Sequence, residues 1–199
     1  MQKNEASNEK NKEVMPMKRL LALIMSLILL LSVPGIASAA KIMQPFENEY
    51  FKIFIPGDWI ISLSSVQDYW GAIDLGYTYS PDESMLLQAN LYFYGDWAQD
   101  SLWAASNDTW NDYIEFIMDD LKDENPELIG TIYAGKFPGV IIRGTNDAGT
   151  YLYGEIMVNA YAYGFYFYLL NEDGTVNSNV TQEDGELFQS ILETFTLNY

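Results

Sequence analysis

Between Tyr50 and Leu170 apolar residues fall mainly on alternate positions, and that period of two commits most of the chain to strands. In Tyr50 to Ile55, Phe51, Ile53 and Ile55 face one way and Tyr50, Lys52 and Phe54 the other. Pro56-Gly57-Asp58 turns the chain, and Trp59 to Leu63 resumes as a strand. Ala72 to Tyr79 and Met85 to Tyr94 form a hairpin across Ser80-Pro81-Asp82-Glu83. Met85, Leu87, Ala89, Leu91 and Phe93 share a face, while Gln88, Asn90, Tyr92 and Tyr94 point away, an antiparallel pattern with one half-buried face. Glu127–Ala134, Val140–Thr145 and Thr150–Asn159 are further strands, separated by Phe137-Pro138-Gly139 and the turn Asn146-Asp147-Ala148-Gly149. Tyr163 to Leu170 is aromatic on both sides, which suits a central, covered strand.

The period shifts twice to that of a helix. Trp110, Tyr113, Ile114, Ile117 and Leu121 recur at helical spacing from a start near Asn107 or Asp108, and Asp123-Glu124-Asn125-Pro126 ends the run. Asn171 to Val180 is a polar loop, after which Thr181 and Asp184 make a capping-box variant. Phe188, Ile191, Leu192 and Phe195 then stripe the last helix. Strands, one helix, strands and a terminal helix predict an α+β domain, with a central antiparallel sheet of about six to seven strands flanked by two main helices.

The chain contains no cysteine and no histidine. Disulfides, thiol nucleophiles and an acylated cysteine are therefore excluded, as are the commonest general base and the usual zinc, copper and iron ligand. Ser-His-Asp and Cys-His hydrolysis are impossible. Met17–Ala40 has the three parts of a secretory signal: Lys18 and Arg19, the apolar run Leu20 to Val33, and Ala37-Ser38-Ala39 after Pro34-Gly35. Residues 1–16 then form a non-structural extension, 17–39 the signal peptide and 40–199 a single domain, secreted or held in the cell envelope. An uncleaved membrane anchor is the alternative. Five of the ten basic residues and three of the 28 acidic ones precede Ala40, which leaves five against 25 and a net charge of −20. That field repels phosphate backbones and anionic lipid, so no nucleic acid and no stable membrane insertion after cleavage are expected.

The opening Phe51-Lys52-Ile53-Phe54-Ile55-Pro56-Gly57-Asp58-Trp59, the amphipathic helix around Trp110–Leu121, the aromatic hairpins and the closing Phe188–Phe195 resemble the PsbP-like domain. That type is found in lumenal extrinsic proteins of photosystem II and in many bacterial secreted proteins. The resemblance spans nearly all of residues 40–199 by pattern. It implies a central antiparallel sheet with flanking helices and a non-enzymatic role in assembly or binding, and carries over no catalytic residues. Histidine-mediated contacts of the photosynthetic branch have no counterpart here.

The segment Tyr92 to Trp103 sets aromatic rings and carboxylates beside a strand end. Asp96, Trp97, Asp100 and Trp103 are the candidate ligand-binding residues, suited to sugars or cations through stacking, cation–π attraction and hydrogen bonds; packing at the core edge is the competing account. Asn171–Gly174 and Glu183–Glu186 are rich in oxygen ligands but miss the spacing of a calcium loop. Asp119-Asp120 and Asp123-Glu124 stand at a helix C-terminus, where negative charge is mildly unfavourable. Asn107-Asp108-Thr109 and Asn179-Val180-Thr181 fit the glycosylation acceptor pattern. No cofactor, metal site or catalytic residue is expected. The reading is a secreted, monomeric, non-catalytic binding or assembly module with an unknown protein or glycan partner. The alternatives are a carboxylate-dependent glycosidase of the cell envelope and a calcium-assisted carbohydrate-binding protein.

Overall fold

Alternation resolves into two antiparallel sheets in the computed structural model, which describes residues 43–67, 72–94 and 107–198. All of them lie in the unit from Ile42 to Tyr199; the signal peptide expected at residues 17–39 and the candidates Asp96, Trp97, Asp100 and Trp103 lie outside the described residues.

The larger sheet has seven strands in the order β3-β4-β5-β9-β8-β7-β6. They are β3 (Ile60–Gln67), β4 (Ile73–Tyr79), β5 (Met85–Phe93), β6 (Glu127–Ala134), β7 (Phe137–Asn146), β8 (Gly149–Val158) and β9 (Tyr161–Leu169). The strand with aromatics on both faces, β9, is the middle one, as its composition predicts. The other sheet has three strands, β1 (Met43–Glu47), β2 (Phe51–Pro56) and β10 (Thr196–Leu197). Among the described residues two α-helices join them, α1 (Asn107–Asp120) and α2 (Gln182–Leu192). The α+β architecture expected from the order of elements is thus present, with a second sheet the pattern did not reveal.

Three local differences have physical reasons. The turn expected at Phe137-Pro138-Gly139 sits earlier, because Gly135 takes the left-handed conformation (φ 62°) and Pro138 is already paired with Tyr133. The stripe ending at Phe195 outruns the helix: α2 stops at Leu192, and the chain returns so that Thr196 pairs with Lys52 and Leu197 with Phe51. The strand expected over Trp59 to Leu63 is longer, Ile60–Gln67, because its pairing with β4 continues past a bulge after Leu63. At the Asp74/Gly76 bulge, Gly76 has φ 114° and a Cβ there would lie 2.4 Å from the Ser62 carbonyl, so only glycine fits.

One face of the large sheet packs on the small sheet and α2. Leu87, Ala89, Leu152, Ile156, Phe165 and Phe167 meet Phe51, Ile53, Ile55, Phe188, Ile191 and Leu192 in one buried cluster. The α2 N-terminus carries the expected capping box, with the Thr181 hydroxyl accepting from the Asp184 amide and the Asp184 carboxylate accepting from the Thr181 amide. The opposite face is covered by α1, whose Tyr113 and Ile117, followed by Leu121, rest on Val140, Ile142, Tyr151, Tyr153, Met157 and Ala162. Tyr92 and Tyr94 therefore do not point into open water, as a one-sided hairpin would have them, but are half-buried in this second cluster. Among the described residues no helix is long and apolar enough to cross a membrane.

Candidate functional site

Strand alternation puts Tyr151, Tyr153, Glu155 and Met157 of β8 on the side of the sheet covered by α1, opposite to Leu152, Gly154 and Ile156. Register then sets Tyr153 beside Tyr166, Glu155 beside Gly164 and Tyr92 beside Ala162. The small residues matter here. A Cβ on Gly164 would lie 2.6 Å from Tyr92 Cε2 and 2.9 Å from the Tyr153 hydroxyl, so the glycine makes the space into which both rings lean.

Glu155 is fully buried. Its Oε1 accepts from the Tyr113 hydroxyl at 2.5 Å, and its Oε2 accepts from Tyr94 at 3.1 Å and from Tyr153. Three phenols from a strand end, a helix and β8 itself thus converge on one carboxyl group. A second acid-phenol contact lies at the end of α1, where Glu124 accepts from Tyr151 and, at 3.2 Å, from Asn146 Nδ2.

Burial dominates the electrostatics. It pushes the Glu155 carboxyl above its ordinary value; the hydroxyls of Tyr113, Tyr153 and Tyr94 oppose the shift and Asp120 adds to it. Burial also raises the phenols of Tyr113 and Tyr153 well above 10, with the Glu155 carboxylate adding to the effect. Tyr92, Tyr94 and Tyr166 shift the same way, burial being the largest cause in each.

Tyr92, Tyr94, Ile117, Asp120, Leu121, Tyr153, Glu155 and Tyr166 line a cavity of about 410 Å³. Glu155 forms its buried end and the exposed Asp120 its wet rim. Its tyrosine wall is continuous, with Tyr92 stacked on Tyr94 at 6.3 Å and Tyr153 tilted against Tyr166 at 4.7 Å. The volume falls within the range of small-molecule sites, roughly 300–1,000 Å³. Among the described residues no group of three or more acidic side chains could hold a metal ion.

Glu155→Gln isolates the buried carboxyl. The folded protein holds its proton more tightly than the unfolded chain does, so Glu155 contributes most to stability below the unfolded value of about 4.5. That contribution is lost as pH rises from there to the folded value, by about 1.4 kcal/mol per pH unit within the window. The amide of the variant cannot titrate. Urea unfolding of both proteins from pH 4 to 8 should show the wild type losing stability relative to the variant; a pH-independent difference would mean that burial leaves the carboxyl unshifted.

Two rings of the predicted region belong to this site, while its four candidates, Asp96, Trp97, Asp100 and Trp103, lie outside the described residues. Tyr92 and Tyr94, the first rings of the segment singled out in the sequence, do line the cavity. Of the acidic cluster at the end of α1, Asp120 lines the cavity, Glu124 receives Tyr151, and Asp119 pairs with Lys122 at 3.5 Å. Glu155 is not among the residues expected from the sequence. Its signal was a single charge in the otherwise uncharged run Thr150 to Val158, on the same side as Tyr151 and Tyr153. The polar loop is self-contained, with Asp173 accepting from the Thr175 amide and hydroxyl.

No family model and no curated protein matches the sequence. Among solved structures the chain is similar to the solution structure of cyanobacterial PsbP (CyanoP) from Synechocystis sp. PCC 6803, at 12% identity and a TM-score of 0.49, covering 83% of this chain and 97% of that one. A crystal structure from Bacteroides thetaiotaomicron VPI-5482 is also similar, at 12% identity and a TM-score of 0.39, covering 74% of this chain and 44% of the other. The chain spans less than half the length of that second protein.

Proposed function

We propose that the protein is an extracytoplasmic binding module without catalytic activity, and that the tyrosine-walled cavity at Glu155 is its ligand site. The cavity carries this reading. It joins a buried charged group to aromatic faces and a solvent-exposed rim, the combination of apolar wall and few convergent polar groups expected of a small-molecule site. The signal-like segment Met17–Ala40 supports a place outside the cytoplasm. Without histidine or cysteine the chain lacks the residues most often used for proton transfer and nucleophilic attack.

The reading is tested by filling the cavity. In two-dimensional NMR, members of a panel of sugars, amines, amino acids and short peptides should shift resonances of Tyr92, Tyr94 and Tyr166. The same compounds should leave Ile117→Trp, whose larger ring occupies the cavity, unshifted. A panel that shifts neither protein, or both alike, would refute a ligand site here.

One observation favours a glycosidase as the second reading: Glu155 and Asp120, two carboxyl groups in unlike surroundings, line the same aromatic cavity. The buried acid has the raised proton affinity of a general acid. Against it, both Glu155 oxygens already accept from tyrosine hydroxyls, which turns the group toward the protein rather than toward a leaving group. Hydrolysis of aryl glycosides that vanishes in both Glu155→Gln and Asp120→Asn would establish the enzyme; no turnover by the folded wild type would dismiss it.

A further inference from the structure

Resting on the reading of this cavity as a binding site, we propose that its ligand carries an organic ammonium group, held against the tyrosine faces and neutralised by the Glu155 carboxylate.

Among the described residues the Glu155 carboxyl lacks a counter-charge. Four basic side chains are described, and each is placed elsewhere. Lys52 pairs with Glu47 at 3.3 Å, Lys122 with Asp119 at 3.5 Å and Arg143 with Glu127 at 2.9 Å, while Lys136 lies over the Phe137 ring at 5.3 Å. Residues 95–106, which join Tyr94 to α1, contain no Lys or Arg. Glu155 is thus fully buried with three neutral donors and, among the described residues, no cation in its contacts, although buried carboxylates are ordinarily paired. A cation entering the cavity would supply the absent charge.

The walls select the kind of cation. Tyr92, Tyr94, Tyr153 and Tyr166 present four electron-rich rings around the space, and such rings attract ammonium groups most strongly where water is excluded. An ionised carboxylate has about four acceptor sites. Oε2 of Glu155 uses two and Oε1 uses one, which leaves one for an N–H donor. A bare divalent cation would need several oxygen ligands, and here a single buried carboxylate faces it, with Asp120 out at the rim. An anionic ligand would meet two carboxylates and, among the described residues, no positive group. Asp120, exposed at the mouth, extends the negative field toward solvent and favours entry of a cation.

The experiment compares a cation with its uncharged copy. Isothermal titration calorimetry of the purified protein would use 3,3-dimethylbutylammonium chloride, whose nitrogen carries N–H donors, and 3,3-dimethylbutan-1-ol, which has the same carbon skeleton with a neutral hydroxyl in place of the ammonium. The cation should bind at least about tenfold more tightly than the alcohol. Glu155→Gln should weaken the cation by about tenfold or more and leave the alcohol unchanged. Equal binding of the two by the wild type, or cation affinity indifferent to Glu155→Gln in a folded variant, would overturn the ammonium inference. Neither compound binding at up to about 10 mM would overturn it as well. The cavity reading survives those results if neutral members of the NMR panel still shift Tyr92 and Tyr166, and falls with them if none does. The wild-type comparison holds even if the variant does not fold; Asp120→Asn, altered only at the exposed rim, then provides the second test, with a smaller loss of cation affinity expected.

Discussion

Raising the pH above 10 is expected to unfold the protein in one cooperative step, with phenolate absorbance appearing together with the loss of near-ultraviolet circular dichroism. Seven of the 15 tyrosines, at positions 92, 94, 113, 151, 153, 166 and 168, have their ionisation raised, in each case chiefly by burial. Tyr168 is pushed up to about 12. An acid whose folded value is raised binds its proton more tightly in the native state than in the unfolded chain. Its contribution is present in full below the unfolded value, near 10, and is lost as pH climbs toward the folded value. Each such group costs about 1.4 kcal/mol per pH unit in that window. The three buried phenols, Tyr113, Tyr151 and Tyr153, therefore remove about 4 kcal/mol per unit. The four half-buried ones steepen the fall. Against a native stability of about 5–15 kcal/mol, collapse follows within one to three pH units. A smooth rise in phenolate absorbance for these seven, with circular dichroism intact, would contradict the buried cluster.

What the sequence disclosed follows from where side chains meet. Period-two segments and their turns depend on neighbouring residues, so strands such as Met85–Phe93 and the capping box at Thr181–Asp184 were readable directly. The three-stranded sheet was not, because β10 is two residues long and its pairing with Lys52 and Phe51 joins the two ends of the domain. No local signal carries a contact over 140 residues, such as the Phe54 amide donating to the Thr194 hydroxyl at 2.7 Å. The site shows the same division. Tyr92 and Tyr94 stand out in the sequence as aromatic, yet alternation alone puts them on the wet side. Only when Tyr113 and Ile117 of α1 lie across the sheet does that side become an interior. Glu155 was hidden for the opposite reason: in a sequence with 28 acidic residues, one more carboxylate carries no weight until its burial is known.

Truncating Phe188 should cost about 3–5 kcal/mol, the range for removing a fully buried aromatic ring. Phe188 has no exposed surface and stacks on Phe167 at 5.4 Å. With Ile191 and Leu192 it is one of three buried side chains by which α2 grips the sheet. Losing the Thr181 cap, by contrast, should cost about 1 kcal/mol, since the exposed hydroxyl satisfies a single helix-end donor that water can also reach. The ranking separates tertiary packing from local helix propensity as the source of α2's stability. Gly154 makes the test sharper. A Cβ there would come within 2.9 Å of Phe188 Cζ and 2.3 Å of Leu192 Cδ1, so Gly154→Ala alone is expected to destabilise by about 1–3 kcal/mol through overpacking. With Phe188 already truncated, Leu192 can swing into the vacated space and the added methyl partly refills it. The double variant should then be more stable than the sum of the single effects predicts, with a coupling of about 0.5–3 kcal/mol. Urea midpoints of the four proteins measure this cycle. Strict additivity would mean that Phe188 does not sit over Gly154, and would remove α2 from the position on which the core of this face depends.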